Sequence, residues 1–263
     1  MHTTTTTPTA RYEAAGYTVD ILVQGYPGKS VCHGSLGWST IALLRGHGRV
    51  ALIDVGSFGV RGTLIAKLAD HGLLPESVTD VILTHSHYDH AINWTLFAHA
   101  QIHMGGEEMD WSLKAPWGRT PVPELYMATL ADWPSFKRLS AGDAPIPNLT
   151  AHAAPGHTPG HLIFILDGVA FDIVFTGDAA KNRAELLSMA ADMSLDKAES
   201  HATFERIWAA WRAKLGSVLV PGHDLPMRLG DDGTPQYLGD REGAIRAWFG
   251  ENLEQTHTFR LVV

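Results

Sequence analysis

The sequence predicts an α+β chain of two similar halves packed face to face, and three observations predict it. Short apolar runs suited to strands recur in both halves, an amphipathic helical pattern accompanies them in each, and in each half a strand runs into a turn bearing histidine and aspartate. At 263 residues the chain is near the upper end of what one hydrophobic core supports. A flexible arm over residues 1–16 and a single domain over residues 17–263 are therefore expected.

In the first half, Thr18 to Val23, Ser39 to Leu44 and Val50 to Val55 are β-rich runs, each ended by glycine or a charged turn. After Asp54, the residues Leu64, Ile65, Leu68 and Ala69 share one helical face, with Gly72 placed to end the helix. Val78 to Thr84 reads as a buried strand that runs directly into THSHYDH, so that loop sits at a strand's carboxyl end, where α/β folds place their chemistry. Residues 104–148 carry Trp111, Pro116, Trp117, Pro121, Pro123, Trp133, Pro134, Pro145 and Pro147 without a clean period. They predict a partly helical excursion whose tryptophans either wall a pocket or pack on the core.

The second half repeats this outline. Leu149 to Ala153, Leu162 to Leu166 and Ala170 to Thr176 are strands, and a helix opens with the capping pair Asp196 and Glu199. Its apolar stripe is Phe204, Ile207, Trp208, Trp211 and Leu215, a pattern of core packing. Val218 to Val220 then feeds PGHD, and a final helix is expected from about Asp240 to Leu253, carrying Ile245, Trp248 and Phe249 inward.

Hydrophobic residues at 45% and charged residues at 18% describe a globular chain with a sizeable core. The net charge of -8, from 28 acidic against 20 basic side chains, argues against nucleic-acid binding, which needs clustered Lys and Arg. Cys32 is the lone cysteine, so no intramolecular disulfide forms and a reducing compartment is the natural setting. The start, MHTTTTTPTARYEAAG, has no apolar core of signal-peptide length, and no run approaches the roughly 20 apolar residues of a membrane span. A cytoplasmic protein acting on a small molecule is expected, with no nucleic-acid or membrane partner and an oligomeric state left open.

The 15 histidines are sorted by spacing. In THSHYDH, His85 and His87 point to the same side if the backbone is extended, while Asp89 and His90 follow the turn and face a second point. Four metal-competent side chains within six residues, after an apolar strand, are hard to explain as a solvated loop. Three more candidates end predicted strands in glycine-flanked turns: His157 in PGHTPGH, Asp178 in FTGDA and His223 in VPGHD.

HxHxDH followed at long intervals by His, Asp and His resembles the signature of the metallo-β-lactamase superfamily, from Asp54 in LIDVG to His223. The resemblance implies an αββα sandwich of two mixed β-sheets flanked by helices, with a metal site at one edge between the sheets. It assigns His85, His87 and His157 to a first metal, Asp89, His90 and His223 to a second, and Asp178 to a bridge. Asp54 resembles the family's aspartate that orients the ligand loop, and His161 is read as structural or supporting. Imidazole and carboxylate donors without thiolate suit two Zn²⁺, with iron or manganese able to use the same donors. Such a pair acidifies a shared water to hydroxide, which attacks a carbonyl, and Asp89 accepts or shuttles a proton.

HYDHAINW is similar to the HxDHxxN of the acyl-homoserine-lactone lactonase branch, in which Asn93 helps shape the loop. The chain departs from that branch at Lys181, where a tyrosine supporting the substrate carbonyl is usual. Lys181 is therefore a candidate catalytic residue beside Asp89, acting on the developing oxyanion or a substrate carboxylate, against the plainer reading of a surface lysine. Trp94, Trp111 and Trp117 would suit an apolar substrate. The expected activity is lactone or ester hydrolysis. A thioesterase or β-lactamase-type hydrolase, a mononuclear iron persulfide dioxygenase and a metal-binding protein without catalysis are the alternatives.

Overall fold

LIFIL at residues 162–166 is apolar at every position because both of its faces are buried, and this doubly covered strand shows how the whole chain is layered. A computed structural model of the chain describes residues 10–262. Its first half forms β1 (Arg11–Ala14), β2 (Tyr17–Val23), the small hairpin β3 (Lys29–Ser30) and β4 (Gly34–Ser35), β5 (Ile41–Gly46) and β6 (Arg49–Ile53). Then come α1 (Arg61–Asp70), β7 (Asp80–Ile82), α2 (Tyr88–Ala91), β8 (Gln101–Gly105), α3 (Gly106–Ser112), α4 (Glu124–Ala131) and β9 (Phe136–Leu139). The sheet order is β1-β2-β5-β6-β7-β8-β9, antiparallel up to β6 and parallel from β6 to β9.

The second half forms β10 (Leu149–Ala153), β11 (Leu162–Leu166), β12 (Ile173–Gly177), α5 (Arg183–Ser188), α6 (Lys197–Arg212), β13 (Val218–Pro221), β14 (Met227–Leu229) and β15 (Pro235–Tyr237). These strands pair in that order, and only β12 and β13 run parallel. Leu162, Phe164 and Leu166 of β11 face the first sheet's Val19, Leu44, Ile53 and Ile82 in the core between the sheets. Ile163 and Ile165, on the other face, meet Phe204, Ile207 and Trp211 of α6. Leu43, Leu52 and Val81 cover the outer face of the first sheet against Leu64 and Leu68 of α1 and Met127 of α4. The result is the expected αββα arrangement of two mixed sheets flanked by helices. The helix α6 opens as expected, with the Asp196 side chain accepting from the N–H groups of Ala198 and Glu199. No helix among the described residues is long and apolar enough to cross a membrane.

Four expectations need correction. The arm over residues 1–16 is ordered from β1, which pairs Arg11 with Asp20 while the Arg11 guanidinium donates to the Asp20 carboxylate at 2.6 Å; residues 1–9 lie outside the described residues. The helix expected from Asp240 to Leu253 is instead a hairpin of β16 (Ala244–Ala247) and β17 (His257–Arg260). The spacing of Ile245, Trp248 and Phe249 mimics a helical face, but the partner strand lies beyond the window that local periodicity samples. Trp248 and Phe249 are consequently 54% and 72% exposed. On α1 only Leu64 and Leu68 of the expected face are buried, and Leu215 lies past the end of α6 in solvent.

Candidate metal centre

The ligand loop starts where β7 ends, and Asp54, just past the parallel neighbour β6, holds it. One Asp54 oxygen accepts the Thr84 N–H at 2.8 Å, and the other accepts His90 Nδ1–H at 2.8 Å. Asp54 occupies the left-handed region at φ +54°, which short polar residues tolerate. Asn93 donates to the carbonyls of Val55 and Ser57 at 2.9 and 2.7 Å, so it shapes the same loop. In the second sheet, the parallel register sets Gly177 against Pro221 and brings Asp178 and His223 abreast. Gly177 sits at φ +47°, and a Cβ there would lie 2.6 Å from Thr84 Oγ1, so only glycine allows the two sheets to approach this closely. The Leu162 N–H donates to the Thr84 carbonyl at 3.0 Å and joins the two halves beside His157 and His161.

Seven side chains from these turns converge. His85, His87 and His157 form one group with ligand atoms within 4.8 Å of one another, Asp89, His90 and His223 form another, and His85, His90 and Asp178 form a third between them. His157 Nε2 lies 3.0 Å from His87 Nδ1 and 3.3 Å from Asp178 Oδ2. Asp178 Oδ1 lies 3.0 Å from His90 Nε2 and 3.1 Å from His223 Nε2. The two oxygens of Asp178 thus serve different histidine groups. Asp89 Oδ2 stands 3.4 Å from His223 Nε2, and its side chain, 19% exposed, is the most exposed carboxylate of the cluster.

Burial, reinforced by neighbouring histidines, holds His85 well below its ordinary range. Burial also pushes His87 down to about 4 and holds His157 well below the usual value. These three imidazoles are therefore neutral, the form that ligates metals. Burial opposes charge on His90 and His223 as well, but there Asp178 outweighs it, and Asp54 adds to the effect on His90, so both are raised. Asp178 is itself held well below the carboxylate range, its burial outweighed by His223, His90 and His157.

The residues fit a pair of metal ions. Ring nitrogens converge in pairs, His157 with His87 at 3.0 Å and His90 with His223 at 3.3 Å, where a metal ion would replace the proton between them, and His85 Nε2 is buried without any hydrogen-bond partner. Only nitrogen and carboxylate oxygen donors are present, a set suited to zinc, iron or manganese. His161 stands outside the groups: its ring stacks on His85 with centroids 4.8 Å apart, and its Nε2 accepts the Asp178 N–H at 3.1 Å.

Lys181 lies beside the cluster but is tied down. Its Nζ donates to the Asp192 carbonyl at 2.6 Å and to Glu185 at 2.9 Å, and its side chain is 12% exposed. Of the three tryptophans expected near substrate, Trp111 lies 6.3 Å from His87 between ring centroids, Trp117 is in solvent, and Trp94 packs in the core against Trp133. Cys32 is exposed and outside all three donor groups. Sequence reasoning missed two supporting carboxylates. Asp224 accepts from Arg183 N–H, Leu225 N–H, Tyr237 Oη and Arg241, which immobilises the turn bearing His223. Glu108 is fully buried and bonds to both histidine-bearing loops. The D of PGHD was a visible cue for the first, whereas Glu108 in GGEEMD reads only as an acidic first turn of a helix.

The same layered fold recurs in solved structures, and the sequence has curated relatives. The chain is 28% identical over 217 residues to metallo-beta-lactamase domain-containing protein 1 of Xenopus laevis, covering 81% of this chain and 82% of that one. Its fold matches AidC, described as a dizinc quorum-quenching lactonase, with TM-score 0.69, 16% identity and coverage of 89% and 97%. It also matches AiiA of B. thuringiensis, crystallised with N-decanoyl-L-homoserine, with TM-score 0.61, 16% identity and coverage of 83% and 94%. The family model described as the metallo-beta-lactamase superfamily matches residues 37–225, a span that holds both sheets' ligand turns and all seven converging side chains. The chain belongs to the metallo-beta-lactamase superfamily.

Proposed function

We propose that this chain is a two-metal hydrolase, with zinc the preferred ion, that attacks a lactone or ester carbonyl. The observation that carries the reading is the division of Asp178, one oxygen toward His157 and the other toward His90 and His223. His85, His87 and His157 would hold one ion, Asp89, His90 and His223 the other, and Asp178 both. Bound there, a metal pair supplies an activated water nucleophile at neutral pH and a Lewis acid for the carbonyl. Asp54 keeps His90 in orientation, Asp224 holds the turn that carries His223, and Trp111 offers an apolar wall next to His87. Asp89, partly exposed beside His223, is placed to take up or pass a proton. The description of AidC as a dizinc lactonase supports the same chemistry here. Exposed, free Cys32 suits a reducing, cytoplasmic setting.

A mononuclear iron dioxygenase would leave Asp89, His90 and His223 without a role, although the structure groups them within ligand distance. Elemental analysis of the purified protein, with a hydrolysis screen over lactones, aryl esters, thioesters and β-lactams, tests the choice. Two metal equivalents with lactone or ester turnover support the proposal. One iron with oxygen consumption and no hydrolysis overturns it. Lys181 enters the reading through the third N–H of its ammonium, the other two being given to the Asp192 carbonyl and Glu185: Lys181→Ala is expected to lower kcat/KM by ~10-fold or more, the effect of one charge-assisted contact. Unchanged kinetics on every hydrolysed substrate would remove Lys181 from the mechanism.

A further inference from the structure

Glu108 has no solvent exposure, yet no lysine or arginine pairs with it among the described residues. A buried carboxylate of this kind is tolerated only where several donors surround it. Here one oxygen accepts the Ser86 N–H at 2.9 Å and the Ser86 hydroxyl at 2.7 Å, and the other accepts the Gly160 N–H at 3.2 Å. Ser86 is the residue between His85 and His87, and Gly160 lies between His157 and His161. All three bonds therefore end on the two loops that supply the three-histidine group, one from each sheet.

Packing seats these loops closely against α3. A Cβ on Gly160 would collide with the backbone of Glu107 and Glu108, and one on Gly105 would come 2.7 Å from the Gly160 carbonyl. The first turn of α3 is thus seated directly on the PGHTPGH loop. Asp54 grips the ligand loop at Thr84, and Glu108 grips it at Ser86, so buried carboxylates hold the backbone on both sides of His85.

We propose that Glu108 is a positioning residue that sets the separation between His157 and the His85–His87 pair, and with it the affinity of that three-histidine group for its metal. The proposal rests on the two-metal reading above. Glutamine keeps the shape of Glu108, but its NH2 must face an N–H donor, either that of Ser86 or that of Gly160. A carboxylate presents an acceptor oxygen to each loop and so satisfies both at once.

The test is titration of the metal-free protein with Zn²⁺ against a chromophoric chelator, and with Co²⁺ followed by its visible spectrum. Wild type, Glu108→Gln and Ser86→Ala are compared, with circular dichroism and thermal unfolding of each metal-free form. Glu108→Gln is expected to weaken one of two metal equivalents by ~10–100-fold, to leave the other near wild type, and to change the Co²⁺ spectrum. Ser86→Ala removes one of the three bonds and is expected to weaken the same equivalent by a smaller factor, roughly 3–10-fold. A folded Glu108→Gln that binds both equivalents with wild-type affinity and spectrum overturns the proposal, as does equal weakening of both equivalents. If Glu108→Gln does not fold, Ser86→Ala decides, and wild-type affinity there refutes the role. Fewer than two equivalents on the wild type itself would instead overturn the two-metal reading, and the role of Glu108 with it.

Discussion

Replacing Asp54 separates what this buried carboxylate does for the fold from what it does for the metal centre. It accepts Thr84 N–H at 2.8 Å, Thr84 Oγ1 at 2.9 Å and His90 Nδ1 at 2.8 Å, at φ +54°. Hydrogen bonds to a charged group contribute about 1.5–3 kcal/mol each, and the left-handed region costs an alanine about 1–2 kcal/mol. Aspartate carries a Cβ at the same φ, so most of that strain is common to both residues, and loss of even two such bonds at the low end puts Asp54→Ala about 3 kcal/mol or more below wild type in the metal-free protein.

Asp54→Asn behaves differently. Asparagine accepts the left-handed backbone, and its carbonyl oxygen still receives Thr84 N–H. Its NH2 then faces His90 Nδ1, which can only accept, so the ring proton moves to Nε2. That nitrogen lies 3.0 Å from Asp178 and 3.3 Å from His223 and is the one needed for a metal. Metal affinity at His90 is expected to fall ~10–100-fold, roughly 1.4–2.7 kcal/mol, with a smaller loss of metal-free stability. Denaturant unfolding after chelation and Zn²⁺ titration read the two quantities separately. Asp54→Ala within about 1 kcal/mol of wild type, or Asp54→Asn with wild-type metal affinity, would refute the reasoning.

Chelation is expected to lower the thermal midpoint, because ions bound only to the native state stabilise it by about 4 kcal/mol at a thousand times Kd. The far-UV circular dichroism should persist, since the three apolar clusters do not depend on the ligand turns; its collapse would contradict this. Gly177→Ala, forced to φ +47° with its Cβ 2.6 Å from Thr84 Oγ1, should lose about 2 kcal/mol or more in denaturant unfolding and weaken metal binding, and wild-type values for both would refute the packing argument. Asp80 supplies a pH test far from the metals. Burial raises its carboxyl, but hydrogen bonds from His103 and Thr79 and the charge of Arg49 outweigh this and leave it lowered. Its stabilisation is thus fully present above the unfolded value of about 3.9 and is lost as pH falls through the lower folded value. The stability gap between wild type and Asp80→Asn should shrink below about pH 4, and a gap constant from about pH 6 to 3 would count against it.

The features legible in the residues alone are local in origin. The doubly apolar LIFIL, the Asp196 cap of α6 and the strand leading into THSHYDH are set by side-chain burial and capping within a few residues, and each forms as expected. The seven candidate ligands were legible because metal-competent residues at strand ends are a spacing pattern. Tertiary structure alone decided their convergence, since the parallel pairing of β12 with β13 places Asp178 beside His223 and the packing of the sheets brings both to His90. It also decided the β16–β17 hairpin, where pairing with His257–Arg260 overrode a helix-like spacing, and the tethering of Lys181 by Glu185 and Asp192. Glu108 was invisible for the same reason: a carboxylate acquires its role from donors 22 and 52 residues away, and no local pattern encodes which backbone N–H groups a fold will leave for it to satisfy.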